Sequence, residues 1–206
     1  MPNVTLEYSA LYYLNWWLVR DRKYCAAFAG TDQDTQLGAL REASIAYRVA
    51  RNLPLEYDSA VGIPRLQPVL NAINGATRSV FDGPDIISNI FRVRDAISQE
   101  YGGNDLLSLT TKFLWLRFQH PIIIYDGNAR RALGTIDADL EDFYVKWRIE
   151  YQKVLNQIQI ACALLPDVRK FCVDPVNGTP DYIRMISSTE WFQERVFDVF
   201  LWHAGA

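Results

Sequence analysis

Apolar residues recur along most of this chain at the three- and four-residue spacing that is typical of amphipathic helices. The clearest example is the segment 139–164, where apolar side chains hold one face, charged side chains hold the other, and Pro166 follows the end. The same spacing predicts further helices over residues 7–29, 34–52, 64–74, 84–101, 108–118 and 188–204. Because glycine- and proline-rich turns separate these segments, the pattern predicts an all-α protein.

Local signals indicate where several of these helices begin or break. We expect Asp34 to cap the helix that follows it, and Asp82, in an Asp-Gly-Pro sequence, is typical of a helix start. Ser187 with Glu190 three residues later has the form of a capping box for the last helix. The charged run 20–23 interrupts the first helix and predicts either a solvated face or a break.

The middle of the chain has a different pattern. The segment 108–118 is apolar on nearly every side, as is typical of a helix buried among other helices. Pro121 ends it, because a proline ring clashes with the preceding turn. Three isoleucines, 122–124, favour an extended path, and Asp126 then lies at the N-cap position of the next helix. This stretch therefore brings two charged residues, Lys112 and Asp126, near the middle of the protein.

Lys112 and Asp126 together suit attack on the anomeric carbon of a sugar. An amine that is desolvated among apolar neighbours is pushed toward its neutral, nucleophilic form. A carboxylate at a helix N-terminus is held ionised by backbone N–H groups, and it would stabilise the positive charge that develops on the sugar. A simpler interpretation stays open, because aspartate is a preferred N-cap and a lysine can lay its stem along apolar surface with its ammonium in water.

The sequence around these two residues resembles the helix-hairpin-helix DNA glycosylase superfamily. The matching stretches are Leu-Leu-Ser-Leu-Thr-Thr-Lys over 106–112, Ile-Ile-Tyr-Asp over 123–126 and the Ala-Arg-Arg-Ala-Leu that follows, and they are most similar to bacterial 8-oxoguanine DNA glycosylase-like proteins. In that superfamily a Leu-Pro-Gly-Val-Gly-x-Lys hairpin carries the catalytic lysine, and an apolar run ending in Val-Asp carries the catalytic aspartate. Lys112 and Asp126 occupy those two positions, and 191–202 looks like the closing helix of these relatives.

The resemblance implies a fold and an activity. The implied fold is all-α and helix-hairpin-helix DNA glycosylase-like, with two helical lobes and a central cleft in a single domain over 1–206, and its helix-hairpin-helix unit lies at about 104–134. The implied activity is that of an N-glycosylase, with lyase activity through a Schiff base on Lys112, acting on a modified purine such as 8-oxoguanine in base excision repair. The base would be flipped out of its stack and bound between apolar side chains.

The resemblance also makes DNA the expected partner. Arg130 and Arg131 are candidate phosphate contacts, or else a surface pair that bridges to nearby acids. Thr110 and Thr111 are candidate phosphate donors at the hairpin, or else caps of the lysine helix. Some relatives appear beside anti-phage defence genes, so the resemblance adds an accessory role in defence and a protein partner from the same operon.

Departures from the family motif and the overall charge favour a second hypothesis. Ser108 and Thr110 occupy the positions of the hairpin glycines, and a residue with a Cβ does not readily take the positive φ of glycine. The net charge is −3 and the pI is near 5.4, whereas non-specific binding to nucleic acid depends on many lysine and arginine contacts to phosphate. The alternative is a protein that keeps its pocket without repairing DNA and binds a partner protein or a free modified base or nucleotide.

A second motif overlaps the same residues. His120 with Pro121, and Asp-Gly-Asn-Ala-Arg over 126–130, resemble the Fic AMP-transferase motif, in which the histidine is the base and a Gly-Asn-Gly-Arg loop binds phosphate. The spacing from histidine to acid is too long by two residues, and Ala129 stands where the second glycine belongs. This hypothesis predicts AMP transfer from ATP that depends on His120.

Composition excludes several other classes of protein. The apolar stretches are interrupted by charge and the N-terminus lacks the pattern of a signal peptide, so we expect a cytoplasmic protein without a membrane-spanning segment. Cys25, Cys162 and Cys172 are an odd number at unrelated spacings, which predicts free thiols and is too few for a four-cysteine iron–sulfur cluster. We see no metal-spaced histidine–cysteine cluster and no glycine-rich phosphate loop, so neither a metal nor a cofactor is expected.

Overall fold

The computed structural model describes residues 4–49, 51, 53 and 64–206. Its α-helices are α1 (Leu6–Trp16), α2 (Arg22–Ala29), α3 (Gln33–Ala46), α4 (Gln67–Gly75), α5 (Ile86–Glu100), α6 (Leu107–Phe118), α7 (Gly127–Leu133), α8 (Leu140–Ala163), α9 (Pro180–Ser187) and α10 (Glu190–Ala204). A π-helical turn at Trp17–Asp21 joins α1 to α2, and single 3-10 turns lie at Arg78–Val80 and Arg169–Phe171. Since the described ranges contain no β-strand, the predicted all-α class is confirmed.

The chain divides into two compact units. One unit consists of Lys23–Ile124 and contains Lys112; we call it the lysine unit. The other combines Met1–Arg22 with Tyr125–Ala206 and contains Asp126; we call it the aspartate unit. The boundary between Ile124 and Tyr125 therefore falls inside the stretch that carries both candidate residues.

The aspartate unit is built around α10, which contacts α1, α7, α8 and α9. Its core is rich in aromatic rings that are removed from solvent: Tyr13 of α1 meets Phe192 of α10 at 4.9 Å between ring centroids, and Trp147 of α8 meets Phe197 of α10 at 5.1 Å. Each buried aromatic ring removes a large apolar area from water, so these pairs hold the three helices together. The helix predicted most clearly from the sequence, α8, therefore contributes its apolar face to this core as expected.

In the lysine unit α4 and α5 pack against α6, and α3 packs against α4. Every residue of α6 except Ser108 and Arg117 is buried, which confirms the prediction of a helix surrounded on nearly all sides. The helix ends at Phe118, and Gln119 follows it with a φ of 56°, two residues before Pro121. The helix therefore ends just before Pro121, as the sequence predicted.

Three of the predicted helix starts are wrong. The cap of α3 is Asp32, whose carboxylate accepts a hydrogen bond from the backbone N–H of Thr35, and not Asp34. Asp82 does not cap α5, because its carboxylate pairs with Arg78 at 3.4 Å in the turn before the helix; Asp85 takes the N-cap position without a side-chain bond. Ser187 is not the cap of the last helix, because it is the last residue of α9, which the sequence did not reveal.

The first and third predicted helices also differ in detail. The helical path continues through the charged run 20–23, but it widens into a π-helical turn at Trp17–Asp21. Asp21 is fully buried and its carboxylate accepts a hydrogen bond from the indole N–H of Trp16 at 2.9 Å, so a solvated face is wrong for this residue. The short helix expected from Pro64 begins at Gln67 instead.

Candidate functional site

The helix that carries Lys112 follows a tight reversal of the chain. After α5 the chain turns over residues 101–106, and Gly102 and Gly103 take φ values of +76° and +81°. These left-handed values favour glycine, since a Cβ would be strained there. The predicted hairpin at 106–112 is therefore corrected: those residues form the N-terminal half of the helix, and the reversal lies just before them.

Thr110 and Thr111 lie within this helix and are fully buried. The hydroxyl of Thr110 donates to the carbonyl of Leu106 at 2.9 Å, and that of Thr111 donates to the carbonyl of Leu107 at 3.2 Å. Neither threonine caps α6, because the N-cap position belongs to Leu106. A contact from either hydroxyl to phosphate stays a prediction, and it would require the hydroxyl to leave its bond to the helix.

Lys112 occupies the middle of α6 and is only 5% exposed. Its Nζ donates a hydrogen bond to the hydroxyl oxygen of Ser108 at 2.8 Å, one helical turn earlier. The simpler interpretation, in which the Lys112 ammonium lies in water, is therefore not supported, because the side chain is buried. Removing water from an amine favours its neutral form, and the neutral amine is the nucleophile.

Asp126 lies at the N-cap of α7, as the sequence predicted. Its backbone is extended, with φ −118° and ψ 141°, and its side chain accepts a hydrogen bond from the backbone N–H of Asn128 at 2.9 Å. The residue is half-buried. The capping bond fixes the direction of the carboxylate.

The run of isoleucines 122–124 leads from the lysine unit to the start of the aspartate unit. All three are at most 3% exposed, and the run belongs to none of the described helices. Beyond it the hydroxyl of Tyr125 donates to the carbonyl of Ala138 at 3.1 Å.

Arg130 and Arg131 use their guanidinium groups to hold backbone carbonyls inside the aspartate unit. Arg130 lies over the ring of Tyr125, 4.5 Å from its centroid, and its Nε donates to the carbonyl of Thr135 at 3.3 Å. The Nε of Arg131 donates to the carbonyl of Gly205 at 2.9 Å, at the end of α10. Among the described residues neither arginine pairs with an acid, so the surface ion pairs offered as an alternative are not formed. Phosphate contact by these two arginines stays a prediction.

Protein-family models, curated proteins and solved structures gave no match. The likeness to glycosylases therefore depends on the residues quoted above. In the described ranges no helix combines the length and the apolar character needed to cross a membrane.

Two features of the molecule were not expected from the sequence. The first is the contact between Ser108 and Lys112; their four-residue spacing on one helix was the signal that could have revealed it. The second is a buried charged network on α10, where the carboxylate of Asp198 accepts from the indole N–H of Trp147 at 2.8 Å and from Arg195 at 2.9 Å. Burial raises the pKa of Asp198 to about 6, although Arg195 and Trp147 act in the opposite direction.

The three cysteines are free thiols, as predicted. Cys162 on α8 and Cys172 are buried, and Cys25 is half-buried. Burial raises the pKa of the Cys162 thiol to about 12, so this group is unreactive in the folded protein.

Proposed function

We propose that this all-α chain is a helix-hairpin-helix glycosylase-like protein that removes a modified purine from nucleic acid, with Lys112 as the nucleophile and Asp126 as the carboxylate that stabilises the sugar cation. The observation that supports this most is the burial of the Lys112 amine and its hydrogen bond to an uncharged hydroxyl. A lysine amine that is removed from water is pushed toward its neutral, nucleophilic form.

The proposed reaction exchanges the base on C1′ of the sugar for the Lys112 amine. The lone pair of the Lys112 amine forms a bond to C1′ of the deoxyribose, while the bond from C1′ to the base breaks and the base leaves with the electron pair and takes up a proton. One proton of the resulting secondary ammonium then moves to O4′ as the bond from C1′ to O4′ breaks, which opens the sugar ring and leaves a protonated imine between Lys112 and C1′. Asp126 stays ionised and lowers the energy of the positively charged sugar in the transition state. Hydrolysis of the imine returns the free lysine.

The test is covalent trapping with sodium borohydride, which reduces the imine to a stable amine. The substrates are single- and double-stranded oligonucleotides that carry 8-oxoguanine or another modified purine, and undamaged oligonucleotides are the control. We expect an adduct that Lys112→Ala abolishes and that the exposed-lysine control Lys170→Ala leaves unchanged. If no oligonucleotide gives an adduct, or if Lys112→Ala gives as much as the wild type, the proposal is overturned.

Asp126→Asn tests the role of the carboxylate without removing the cap. Asparagine is as good an N-cap as aspartate, so α7 stays formed while the negative charge is lost. A fall in trapping of about a hundredfold, which corresponds to a few kcal/mol of lost electrostatic stabilisation, is the expected result. Unchanged trapping would show that the charge at this position has no part in the reaction.

A second candidate function is favoured by the inward-facing hydroxyls of Thr110 and Thr111 and by the net charge of −3. In this alternative the chain binds a partner protein or a free modified base or nucleotide, and duplex DNA is not its ligand. Calorimetry with free 8-oxoguanine and its nucleoside distinguishes the two: saturable binding without any borohydride adduct supports the alternative. The accessory role in anti-phage defence belongs to either proposal and is tested by phage plating on cells with and without the protein.

A further inference from the structure

The hydroxyl of Ser108 touches the amine that the proposed reaction uses. Its Oγ lies 2.8 Å from Nζ of Lys112, and the two residues are four positions apart on α6, the spacing at which helix side chains face each other. Ser108 is half-buried, whereas Lys112 is only 5% exposed. The contact therefore joins a buried amine to a hydroxyl nearer the surface of the same helix.

We infer that Ser108 is a positioning residue for the Lys112 amine: its hydroxyl holds Nζ in one place and adjusts the balance between the ammonium and the neutral amine. A hydroxyl oxygen accepts from an ammonium, and a hydroxyl proton can be donated to the lone pair of a neutral amine, so the contact persists in both states. A hydrogen bond to a charged group is stronger than one to a neutral group, so the hydroxyl favours the ammonium. The role in catalysis rests on the proposed function, but the effect on the amine does not.

Ser108 stands at a position where the family motif has a glycine. In the family that the sequence resembles, a glycine stands at this place relative to the lysine, and glycine has no side chain that could reach the amine. Here the reversal of the chain is supplied by Gly102 and Gly103, so position 108 lies inside a helix and is able to carry a side chain. The departure from the motif thus provides a contact to the lysine.

The substitution Ser108→Ala leaves unchanged the charged groups on the two helices, α4 and α5, that pack against α6. The α4 helix carries no charged residue, and α5 carries Arg92, Arg94, Asp95 and Glu100. Arg94 pairs with Asp95 and also with Asp105 in the following turn. Since Ser108→Ala alters none of these groups, a change in the titration of Lys112 reports on the lost hydroxyl.

The experiment follows the titration of the lysine side chains by NMR in the full chain labelled with ¹³C at the lysine ε-carbons. Lys112→Arg assigns the Lys112 signal, and the exposed Lys170 serves as the internal reference. In Ser108→Ala we expect the titration midpoint of Lys112 to fall by about one pH unit, because one hydrogen bond to the ammonium is lost. In Ser108→Thr, which keeps a hydroxyl, we expect the wild-type midpoint. Equal midpoints in wild type and Ser108→Ala, with helical content and the Lys170 signal unchanged, would overturn the inference.

Borohydride trapping separates this inference from the proposed function. A shifted Lys112 midpoint in Ser108→Ala together with no adduct from the wild type supports the contact and overturns the glycosylase proposal. An adduct whose rate and pH profile are the same in wild type and Ser108→Ala, with unshifted titration, supports the glycosylase proposal and overturns the role of Ser108. If both hold, we expect Ser108→Ala to trap about tenfold more slowly at a pH above both midpoints, where the amine is neutral in both proteins, with its pH profile moved to lower pH, and Ser108→Thr to restore the wild-type profile.

Discussion

Substitution of Gly205 by alanine tests the closest approach of two backbones in the aspartate unit. A Cβ built at position 205 would lie 2.0 Å from the carbonyl oxygen of Asn128 and 3.1 Å from the backbone nitrogen of Ala132, both in α7. Ordinary van der Waals contact begins at 3.4 Å, so the end of α10 would have to move away from α7 by more than an ångström. The backbone of Gly205 itself has a φ of −99°, which alanine adopts freely, so the clash alone carries the effect.

The cost follows from what this displacement breaks. It pulls the carbonyl of Gly205 from the Nε of Arg131, now at 2.9 Å, and the carbonyl of Trp202 from the amide of Asn128, now at 3.2 Å. Each neutral or charged bond is worth about 1 kcal/mol net, and overpacking adds about 1–3 kcal/mol when the structure cannot yield. Because Ala204 and Ala206 on either side of Gly205 are exposed, this end of α10 can shift toward solvent and relieve part of the strain. We therefore expect a loss of about 2 kcal/mol in the free energy of unfolding, or about 4–8 °C in Tm.

Differential scanning calorimetry and urea unfolding measure this loss. The matched control is Gly127→Ala in the same unit, where an added Cβ meets only the tip of the Arg131 side chain at 3.9 Å. We expect the control to keep or slightly raise the wild-type Tm, since alanine is a better helix former than glycine. A Gly205→Ala variant as stable as the wild type would show that the ends of α10 and α7 do not approach as described.

Two further stability predictions concern other parts of the chain. Gly38→Ala lies on the exposed side of α3, where an added Cβ meets nothing within 4 Å, so we expect a gain of about 0.5–1 kcal/mol in urea unfolding; a loss would refute the placement of this residue. Burial raises the pKa of Asp198 to about 6 from 3.8, so the folded state holds the proton more tightly and this group adds stability as the pH falls from 6 to 4. Compared with Asp198→Asn, which does not titrate there, the wild type should gain about 1 kcal/mol per pH unit over that window; parallel pH curves would refute the buried carboxyl.

The sequence predicted those helices whose own pattern is decisive. The long helix α8 shows apolar and charged faces over many turns, and α6 is apolar on nearly all sides, so both were found with nearly correct ends. The starts that were wrong involve residues with an alternative use in the folded chain. Asp82 pairs with Arg78, and Ser187 completes α9, and neither contact is visible in local spacing.

In the candidate site, too, the features set by local sequence were predicted and those set by distant contacts were not. The cap formed by Asp126 and the burial of Lys112 depend on neighbours in sequence, so the local sequence pattern predicted both. The network on Asp198 depends on Trp147, 51 residues away, and no periodicity reveals such a contact. In the family motif Ser108 stands only as a missing glycine, although its four-residue spacing to Lys112 allows a hydrogen bond.

The most direct test of the central claim is to find which amine carries a trapped sugar. The wild-type chain is treated with borohydride in the presence of an oligonucleotide that contains 8-oxoguanine, digested, and the modified peptide is sequenced by mass spectrometry. We expect a reduced adduct on Lys112 and none on the lysines at positions 23, 146, 153 and 170. An adduct on one of those residues or on the N-terminal amine would contradict it, and so would the absence of any adduct.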